Sequence, residues 1–464
     1  MQATGSLFLL LCSVTIYFGQ AVAESSPSLE QITTAPVPPH FIHDPNPSTV
    51  WFVASHGDDE GFDSDLQEHT FVCLASGNPQ PRYEWYKNGK RFDLDNDPSR
   101  ISRIDHPRAG SFRMRNLKSY DQGTFQCRAK NEHGTAIDNS IYFNMTYSTA
   151  QPDTVTIAHV QWMEPYSREC VVTGGQPPPL VYWIIKTSGN RFKTINSTHI
   201  SVCSEPRKAT IYFSYVNLDD QHTDEYFTCV AENPILNEYK FGISFQFVID
   251  NVPEPTLSLS YREPTQQYVN DGERIEVQGS SIELHCIFSG YPIPRFEWYK
   301  DEIKIDDLND DRFSYKNHGR TLRFDQILLS DEWTYICRTR SYIQKRSFHV
   351  KIAVAPYWIN QPGDRNCSEV APYWINQPGD RNCSEGDNVA FTCDAYGKPY
   401  PVRKFFKNGE LITPDERIRI NGYTLSIDNV KKGDGPNSGD TGVYQCEVAN
   451  EHGSLWANFY LNIL

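Results

Sequence analysis

The sequence predicts an all-β chain of four tandem β-sandwiches, each closed by a disulfide bond between its two sheets. Four pairs of cysteines recur along the 464 residues, and the members of a pair are 51 to 59 positions apart. An aromatic residue follows the first cysteine of every pair at a nearly constant distance. Runs of aromatic and β-branched residues alternate with clusters of Gly, Pro, Asn and Asp, which is typical of strands and turns. Repetition of one unit at this length indicates several small domains.

The repeated cysteines predict one disulfide bond in each unit. In a two-sheet sandwich such a bond joins the facing sheets through the core. Each bond closes a loop of about 50 residues, which on the chain-entropy model stabilises the unit by roughly 4 kcal/mol. The predicted pairs are Cys73–Cys127, Cys170–Cys229, Cys286–Cys337 and Cys393–Cys446.

Two aromatic positions accompany each cysteine pair. The first is expected to pack against the sulfurs, and it is occupied by Trp85, Trp183, Trp298 and Phe405. The second lies two residues before the second cysteine and fits a tyrosine corner, whose hydroxyl binds a nearby backbone carbonyl. It is occupied by Phe125, Phe227, Tyr335 and Tyr444. Because phenylalanine has no hydroxyl, we expect the first two corners to be held by packing alone.

The chain divides into a leader and four units. Residues 1–23 read as a signal peptide, because an apolar stretch precedes the small residues of Ala21-Val22-Ala23. Residues 24–35 are expected to form a linker, and the four units are predicted at 36–146, 147–250, 251–355 and 356–464. No later stretch reaches the roughly 20 apolar residues of a membrane span. We therefore expect a secreted, extracellular protein, or one at the cell surface if the chain is a truncated or peripherally bound form.

Composition and motifs exclude several functions. With 43 basic and 58 acidic residues the net charge is −15, which argues against nucleic acid as a partner. No nucleophile elbow, zinc-protease motif or phosphate loop is present, so we expect no catalytic residues, no cofactor and no enzyme activity. Two acidic segments, near Asp58–Asp65 and Asp93–Asp97, lack the glycine and glutamate of a calcium loop. We expect solvated loops there and no metal site.

Three cysteines and four asparagines remain to be assigned. Cys12 lies in the predicted signal peptide, and in the mature chain Cys203, Cys367 and Cys383 lie outside the four pairs. They are either reactive or intermolecular cysteines, or a Cys367–Cys383 pair and thiols without a role, and the second interpretation is favoured. N-glycosylation sequons begin at Asn144, Asn196, Asn366 and Asn382.

The fourth unit carries two irregularities. Residues 354–369 are repeated without change as residues 370–385, although a sandwich has room for a single first strand. Residues 435–440 also read as an insertion into the turn before Tyr444. Beside this insertion, Lys432-Gly433-Asp434 resembles an integrin-recognition tripeptide, but such tripeptides occur by chance and a surface turn is favoured.

Several segments resemble a known family. Gly77-Asn78-Pro79-Gln80-Pro81 and the following Glu84-Trp85-Tyr86-Lys87-Asn88-Gly89-Lys90, Asn131-Glu132-His133-Gly134, Pro177-Pro178-Pro179, and Phe296-Glu297-Trp298-Tyr299-Lys300-Asp301 carry the resemblance. The chain is similar to the four N-terminal immunoglobulin domains of neuroglian-type adhesion proteins, and to the hemolins of insects. The resemblance covers nearly the whole mature chain. It implies a horseshoe in which the first domain folds back on the fourth and the second on the third, with a hinge near residues 249–256.

The resemblance implies two functions. The first is homophilic or heterophilic cell adhesion in the nervous system, with the chain itself or another cell-surface immunoglobulin protein as the partner. The second is a secreted immune protein that binds bacterial lipopolysaccharide and haemocytes. A basic cluster for such an anion would come from Arg100, Arg103, Arg108, Arg113 and Arg115, although a solvated face is the favoured interpretation.

Overall fold

The structure, a computed structural model, describes residues 37–42, 48–54, 67–104, 110–187, 191–252, 262–266, 272–339, 344–360 and 382–464. Within these ranges the regular structure is almost entirely β, with a few 3-10 turns. The strands form four sandwiches in chain order. Each sandwich has a front sheet, which holds the second cysteine and the aromatic partner of the disulfide, and a smaller back sheet.

The first sandwich has eleven strands in the part of the chain described. They are β1 (Val37–Phe41), β2 (Thr49–Phe52), β3 (His69–Phe71), β4 (Ala75–Asn78), β5 (Arg82–Lys87), β6 (Lys90–Phe92), β7 (Ile101–Arg103), β8 (Phe112–Met114), β9 (Gly123–Asn131), β10 (Gly134–Ile137) and β11 (Ile141–Met145). The front sheet has the order β2-β11-β9-β5-β6, with β10 also paired to β9. The back sheet is β3-β8-β7, and β1 pairs with β4.

The second sandwich has a simpler layout. Its strands are β12 (Val155–Gln161), β13 (Tyr166–Val171), β14 (Leu180–Thr187), β15 (Phe192–Lys193), β16 (Ile200–Glu205), β17 (Lys208–Phe213), β18 (Glu225–Asn233) and β19 (Glu238–Asp250). The front sheet runs β12-β19-β18-β14-β15 and the back sheet β13-β17-β16. The edge strand β12 is parallel to β19, and the other neighbours in both sheets are antiparallel.

The third sandwich repeats this layout and ends in a long strand. Its strands are β20 (Arg262–Gln266), β21 (Gly272–Val277), β22 (Ile282–His285), β23 (Phe288–Tyr291), β24 (Phe296–Lys300), β25 (Ile303–Lys304), β26 (Phe313–Lys316), β27 (Thr321–Phe324), β28 (Thr334–Thr339) and β29 (Lys345–Asn360). The front sheet is β21-β29-β28-β24-β25, the back sheet is β22-β27-β26, and β20 pairs with β23.

The fourth sandwich begins inside β29. Its other strands are β30 (Asn382–Cys383), β31 (Val389–Thr392), β32 (Asp394–Lys398), β33 (Val402–Lys407), β34 (Glu410–Leu411), β35 (Ile418–Asn421), β36 (Thr424–Ile427), β37 (Gly442–Asn450) and β38 (Gly453–Ile463). The front sheet is β30-β38-β37-β33-β34 and the back sheet is β31-β36-β35. The second half of β29 pairs with β32, so the predicted domain boundary after residue 355 lies within a continuous strand.

Each sandwich buries its own core around one disulfide bond. The structure joins the four cysteine pairs expected from the sequence. Trp85, Trp183, Trp298 and Phe405 are all buried in these cores. The three indole N–H groups donate to backbone carbonyl oxygens of Gly110, Ala209 and Gly319, which satisfies their polar atoms inside the core.

The corner of each sandwich contains a hydrogen bond only where its aromatic residue is a tyrosine. The hydroxyl of Tyr335 donates to the carbonyl of Asp331 at 3.1 Å, and that of Tyr444 donates to the carbonyl of Asp440 at 2.8 Å. Phe125 and Phe227 occupy the same place and are fully buried against neighbouring rings.

A pair of polar side chains links the two sheets of every sandwich near the corner. In the second sandwich His199 Nε2 lies 2.8 Å from Asp220 Oδ1. In the other three it is an ion pair, Arg100–Asp121, Arg312–Asp331 and Arg417–Asp440, at 2.6 to 2.9 Å. The last pair corrects the predicted insertion at residues 435–440. Asp440 is the buried aspartate of the motif, and the additional residues are a hairpin before it, closed by a bridge between Lys432 and Gly439. Asp434 and Asp440 lie six residues apart, so removing residues 435–440 or residues 434–439 leaves the same sequence. The sequence alone therefore did not show which of the two aspartates belongs to the motif.

Candidate functional site

The first and fourth sandwiches contact each other along the outer edge of β10. The backbone N–H of Thr135 donates to Asn408 Oδ1 at 3.2 Å, and Gln445 Nε2 donates to the carbonyl of Thr135 at 2.6 Å. The N–H of Ile137 donates to Asn458 Oδ1, and Asn458 Nδ2 donates to the carbonyl of Ile137. Side-chain amides therefore satisfy the edge groups that a neighbouring strand would otherwise bind. These contacts define the first–fourth interface.

Close packing at this interface depends on Gly134. Its φ is +151°, and a Cβ atom there would lie 2.4 Å from Val443 Cγ2 and 2.9 Å from the Val443 backbone nitrogen. The hairpin turn at residues 131–134, between β9 and β10, thus presents its last residue to the fourth sandwich. Nothing in the local sequence indicates that this turn touches another domain.

The second and third sandwiches contact each other through their back sheets. Asn317 binds both backbone groups of Val202 on the edge strand β16, at 3.1 and 2.9 Å. Ser214 Oγ donates to the carbonyl of Phe288, and the N–H of Gly290 donates to the carbonyl of Ser214. These contacts define the second–third interface. With the first–fourth interface they close the chain into the horseshoe that the family resemblance implied.

A buried arginine and a buried histidine lie at the second–third interface. Arg320 donates to the carbonyl of Ile200 at 2.8 Å and to Ser214 Oγ at 3.3 Å, and burial lowers the pKa of Arg320 to about 10. His285 contacts Thr321 Oγ1 through Nδ1 at 3.0 Å, and burial lowers the pKa of His285 to about 4. Both groups favour their uncharged forms more than they would in water, because the interface excludes solvent.

The unassigned cysteines have different surroundings. Cys203 is buried at the second–third interface against Tyr212 and Ile287, and burial raises the pKa of its thiol. A thiol with a raised pKa is a poor nucleophile, so the position favours a packing role over a reactive one. Cys383 is buried in the core of the fourth sandwich. Cys367 lies outside the described residues, and with it any Cys367–Cys383 bond.

The predicted basic cluster is neutralised where the structure describes it. Arg100 pairs with Asp97 and Asp121, and Arg103 pairs with Asp95. Arg113 and Arg115 both contact Glu68. Arg108 lies outside the described residues. Two carboxylates of the Asp93–Asp97 segment, those of Asp95 and Asp97, take part in these pairs. No group of three metal-binding side chains occurs in the described parts of the chain. The Asp58–Asp65 segment is not described.

Two of the four sequons can be placed. Asn196 is exposed in the connection between β15 and β16, whereas Asn144 is half-buried on β11. Asn382 lies on β30 but its side chain is outside the described residues, as is Asn366. Lys432 and Asp434 are exposed on the hairpin before Asp440, and Ser438 Oγ closes that hairpin by accepting from the Gly435 N–H.

The β12 edge of the second sandwich's front sheet carries two exposed apolar side chains. Val155 and Ile157 alternate with core residues on β12 and are 59% and 62% exposed. We call the surface formed by these two residues the outer apolar face. Phe192 and Tyr239 are also exposed, with their rings 6.1 Å apart, but Phe192 lies on β15 at the opposite edge of the sheet. Exposed apolar side chains that lie together mark contact surfaces more often than scattered ones do.

The strand β12 is also an open edge. It is the last strand of its sheet in the described part of the chain, and its residues 155–161 include neither Lys nor Pro. Natural edge strands usually carry such residues, which prevent pairing with other chains. The outer apolar face and this edge lie on the side of the sheet away from the second–third interface, because that interface uses β16 of the back sheet.

A set of asparagines was missed by the sequence analysis. Asn131, Asn233 and Asn450 each follow the second cysteine by four residues. Asn131 Nδ2 donates to the carbonyls of Val37 and Pro79, and Asn450 Nδ2 donates to those of Val354 and Pro399. Asn233 binds the chain leaving the first sandwich through the carbonyl of Tyr147. The constant spacing was a visible signal of this role.

Comparisons with known proteins agree with the architecture. The family model for the immunoglobulin domain matches residues 65–131, and that for the immunoglobulin I-set domain matches residues 269–354 and 372–463. Neuroglian of Drosophila melanogaster is 30% identical over 437 residues, and neural cell adhesion molecule L1 of Mus musculus is 27% identical over 403 residues. These matches cover 92% and 84% of this chain. The chain spans only 31% and 29% of the lengths of those relatives.

Solved structures show the same fold at lower identity. The insect immune protein hemolin matches with a TM-score of 0.67 and 22% identity, covering 92% of this chain and 100% of that one. The four N-terminal immunoglobulin domains of Sidekick-1 match with a TM-score of 0.63 and 17% identity, covering 92% of this chain and 99% of that one. In the described residues no helix has the length and apolar character needed to cross a membrane.

Proposed function

We propose that this chain, which belongs to the immunoglobulin superfamily and is related to neuroglian and hemolin, is a cell-adhesion protein that binds through its surfaces and catalyses no reaction. The similarity to neuroglian across 92% of the chain supports this proposal. The hemolin structure was described as a domain arrangement with implications for homophilic adhesion. The expected place of action is outside the cell or at its surface.

The observation that carries the proposal is the outer apolar face beside the open edge of β12. A horseshoe uses four faces for its two internal interfaces, and this face remains available for an external partner. Two copies of the chain could align their β12 strands antiparallel about a two-fold axis, since such a contact is self-complementary. We propose a second copy as the partner, and another cell-surface immunoglobulin protein as the heterophilic alternative.

Self-association in solution tests the proposal. Analytical ultracentrifugation of the full chain over a range of concentrations is expected to show a monomer–dimer equilibrium. Ile157→Arg places a charge in the contact and is expected to weaken association at least tenfold, which corresponds to about 1.4 kcal/mol. Ile303→Arg is the matched control, because Ile303 is similarly exposed, at 55%, on the third sandwich. A monomer at all concentrations, or equal effects of both variants, would count against the homophilic form.

A hemolin-type immune role is the second candidate, supported by the fold match over the whole hemolin chain. Binding of lipopolysaccharide would need cationic groups, and the four described arginines of the predicted basic cluster are paired with carboxylates. Cosedimentation with lipopolysaccharide at low ionic strength separates the two roles. We expect the native chain to cosediment with lipopolysaccharide no more than the Ile157→Arg variant does, since adhesion does not require anionic lipid.

A further inference from the structure

The first and fourth sandwiches use the same dipeptide in the same hairpin of the front sheet. Asn88-Gly89 joins β5 to β6 in the first sandwich, and Asn408-Gly409 joins β33 to β34 in the fourth. All four residues have positive φ values, between 50° and 85°, as a two-residue turn of this kind requires. The two turns are alike in sequence and backbone conformation, so a difference in their reactivity must come from their surroundings.

Asn-Gly is a reactive dipeptide, because glycine has no side chain to hinder attack by its own backbone nitrogen. That nitrogen attacks Cγ of the asparagine, the N–Cγ bond forms and the Cγ–Nδ2 bond breaks. Ammonia leaves with the proton of the glycine N–H. Water then opens the succinimide ring at either of its two carbonyls, which gives aspartate or isoaspartate. The reaction requires the glycine nitrogen and Cγ to approach each other without restraint.

The turn of the first sandwich is open to this reaction. Asn88 and Gly89 are both exposed, and a Cβ atom on Gly89 would have no heavy atom within 4 Å. Asn88 Oδ1 accepts from the N–H of Thr124 in the same sandwich, at 2.8 Å. The glutamine that precedes the second cysteine on β9, Gln126, donates to the carbonyl of Asp138.

The turn of the fourth sandwich is held by the first–fourth interface. Asn408 Oδ1 accepts from the N–H of Val443, as Asn88 does from Thr124, and also from the N–H of Thr135 in the first sandwich, at 3.2 Å. The N–H of Gly409 donates to Gln445 Oε1 at 2.9 Å. Gln445 is fully buried, and its Nε2 donates to the carbonyl of Thr135. Thr135 therefore restrains both reacting groups, the asparagine amide directly and the glycine nitrogen through Gln445.

The first sandwich also packs against this turn. A Cβ atom on Gly409 would lie 3.0 Å from Arg128 Nη1 and 3.7 Å from Ile137 Cδ1. The amide of Asn408 is held on its other side, because Nδ2 donates to Asn437 Oδ1 at 2.7 Å. Rotation of the amide towards the Gly409 nitrogen would break these hydrogen bonds. The closed interface therefore opposes the reaction at Asn408, and no equivalent contact opposes it at Asn88 among the described residues.

We propose that Asn408 is a deamidation site which the closed first–fourth interface protects, and whose conversion to isoaspartate prevents the interface from closing again. Contacts between parts of a protein open at free energies below that of global unfolding. In the open form Thr135 holds neither Asn408 nor Gln445, and the turn has the surroundings of Asn88-Gly89. Isoaspartate adds a methylene group to the backbone of the turn and moves the acceptor away from the Thr135 N–H. The site makes an opening of the horseshoe permanent, and it does so independently of the outer apolar face.

Peptide mapping of the full chain by mass spectrometry, during incubation at mildly alkaline pH, tests the protection. In the native chain Asn88 should convert about tenfold faster than Asn408 or more, since only the open fraction reacts at Asn408. Equal rates at these two residues would overturn the proposal.

A variant that loosens the interface away from the turn provides the second measurement. Asn139→Ala/Asn458→Ala removes the hydrogen bonds that these side chains make with Trp456 and Ile137. It should raise the rate at Asn408 about fivefold or more, because the open fraction grows. Asn88 and the exposed Asn421, which also precedes a glycine, are the controls and should convert at their native rates. An unchanged rate at Asn408 would overturn the protection.

The effect of the conversion is measured on the products. Ion-exchange chromatography separates chains that have gained a negative charge, and peptide mapping assigns the converted residue in each fraction. Small-angle scattering should give a larger maximum dimension for chains converted at Asn408 than for chains converted at Asn88 alone. Equal dimensions for the two fractions would show that the conversion does not prevent closure, and would overturn that part of the proposal.

Discussion

Single asparagine side chains make many of the contacts between segments distant in the sequence. Asn317 and Asn458 each bind the N–H and the carbonyl of one residue in another domain, as a neighbouring strand would do. Asn131 and Asn450 each donate a hydrogen bond to a backbone carbonyl of the first strand of their own sandwich. A side-chain amide offers both a donor and an acceptor on a short stem, which suits it to this task.

At the same scale, His285 predicts a pH dependence. Its pKa is about 4 in the folded protein because the side chain is buried, against about 6.5 when unfolded. The unfolded chain therefore binds a proton first as the pH falls below 6.5, and stability is lost progressively down to pH 4. At pH 5 the loss is about 2 kcal/mol, or a fall of about 10 °C in the Tm of the third sandwich.

Scanning calorimetry at pH 7 and pH 5 checks this expectation. His285→Gln removes the titrating group and should reduce the difference between the two pH values. His349→Gln is the matched control, because His349 is exposed on the same sandwich. If His285→Gln and the native chain lose the same Tm between pH 7 and pH 5, the buried histidine is not the cause.

At the scale of the element, the strands were largely predictable from the sequence, but their contacts with other domains were not. Aromatic runs such as Tyr83-Glu84-Trp85-Tyr86 form β5, and the turn before Gly134 joins β9 to β10. Local sequence determines such elements, since strand and turn preferences are local. The capping of β10 by Asn408 and Asn458 depends on residues more than 270 positions away, and no local pattern reports such a contact.

The hairpin that ends at Gly134 gives a prediction about this element. Gly134→Ala would strain a positive φ and bring a methyl group against Val443, so the first–fourth interface should weaken by about 1–3 kcal/mol. Small-angle scattering should then show a larger maximum dimension.

The equivalent hairpin of the fourth sandwich supplies the control. A Cβ on Gly453 would meet Ala355 Cβ at 3.5 Å, an ordinary contact, so Gly453→Ala should leave the scattering unchanged. Native scattering from Gly134→Ala would show that the interface does not depend on this close approach.

For the whole molecule, the number of sandwiches followed from the sequence, but their arrangement required the family resemblance. Four cysteine pairs with their aromatic partners define four cores, because each core needs its own disulfide and its own buried ring. The horseshoe depends on contacts between the surfaces of different sandwiches. Because many different surface residues are compatible with one sandwich fold, the sequence pattern does not predict these contacts. The outer apolar face was missed for the same reason, since Val155 and Ile157 alternate with the core residues of β12 and read as an ordinary strand.

Aggregation of beads coated with the full chain tests adhesion through the outer apolar face most directly. Native beads should cluster, and beads carrying Ile157→Arg should remain dispersed while those carrying Ile303→Arg cluster as the native beads do. Dispersed native beads, or clustering by Ile157→Arg beads equal to the native level, would contradict adhesion through this face.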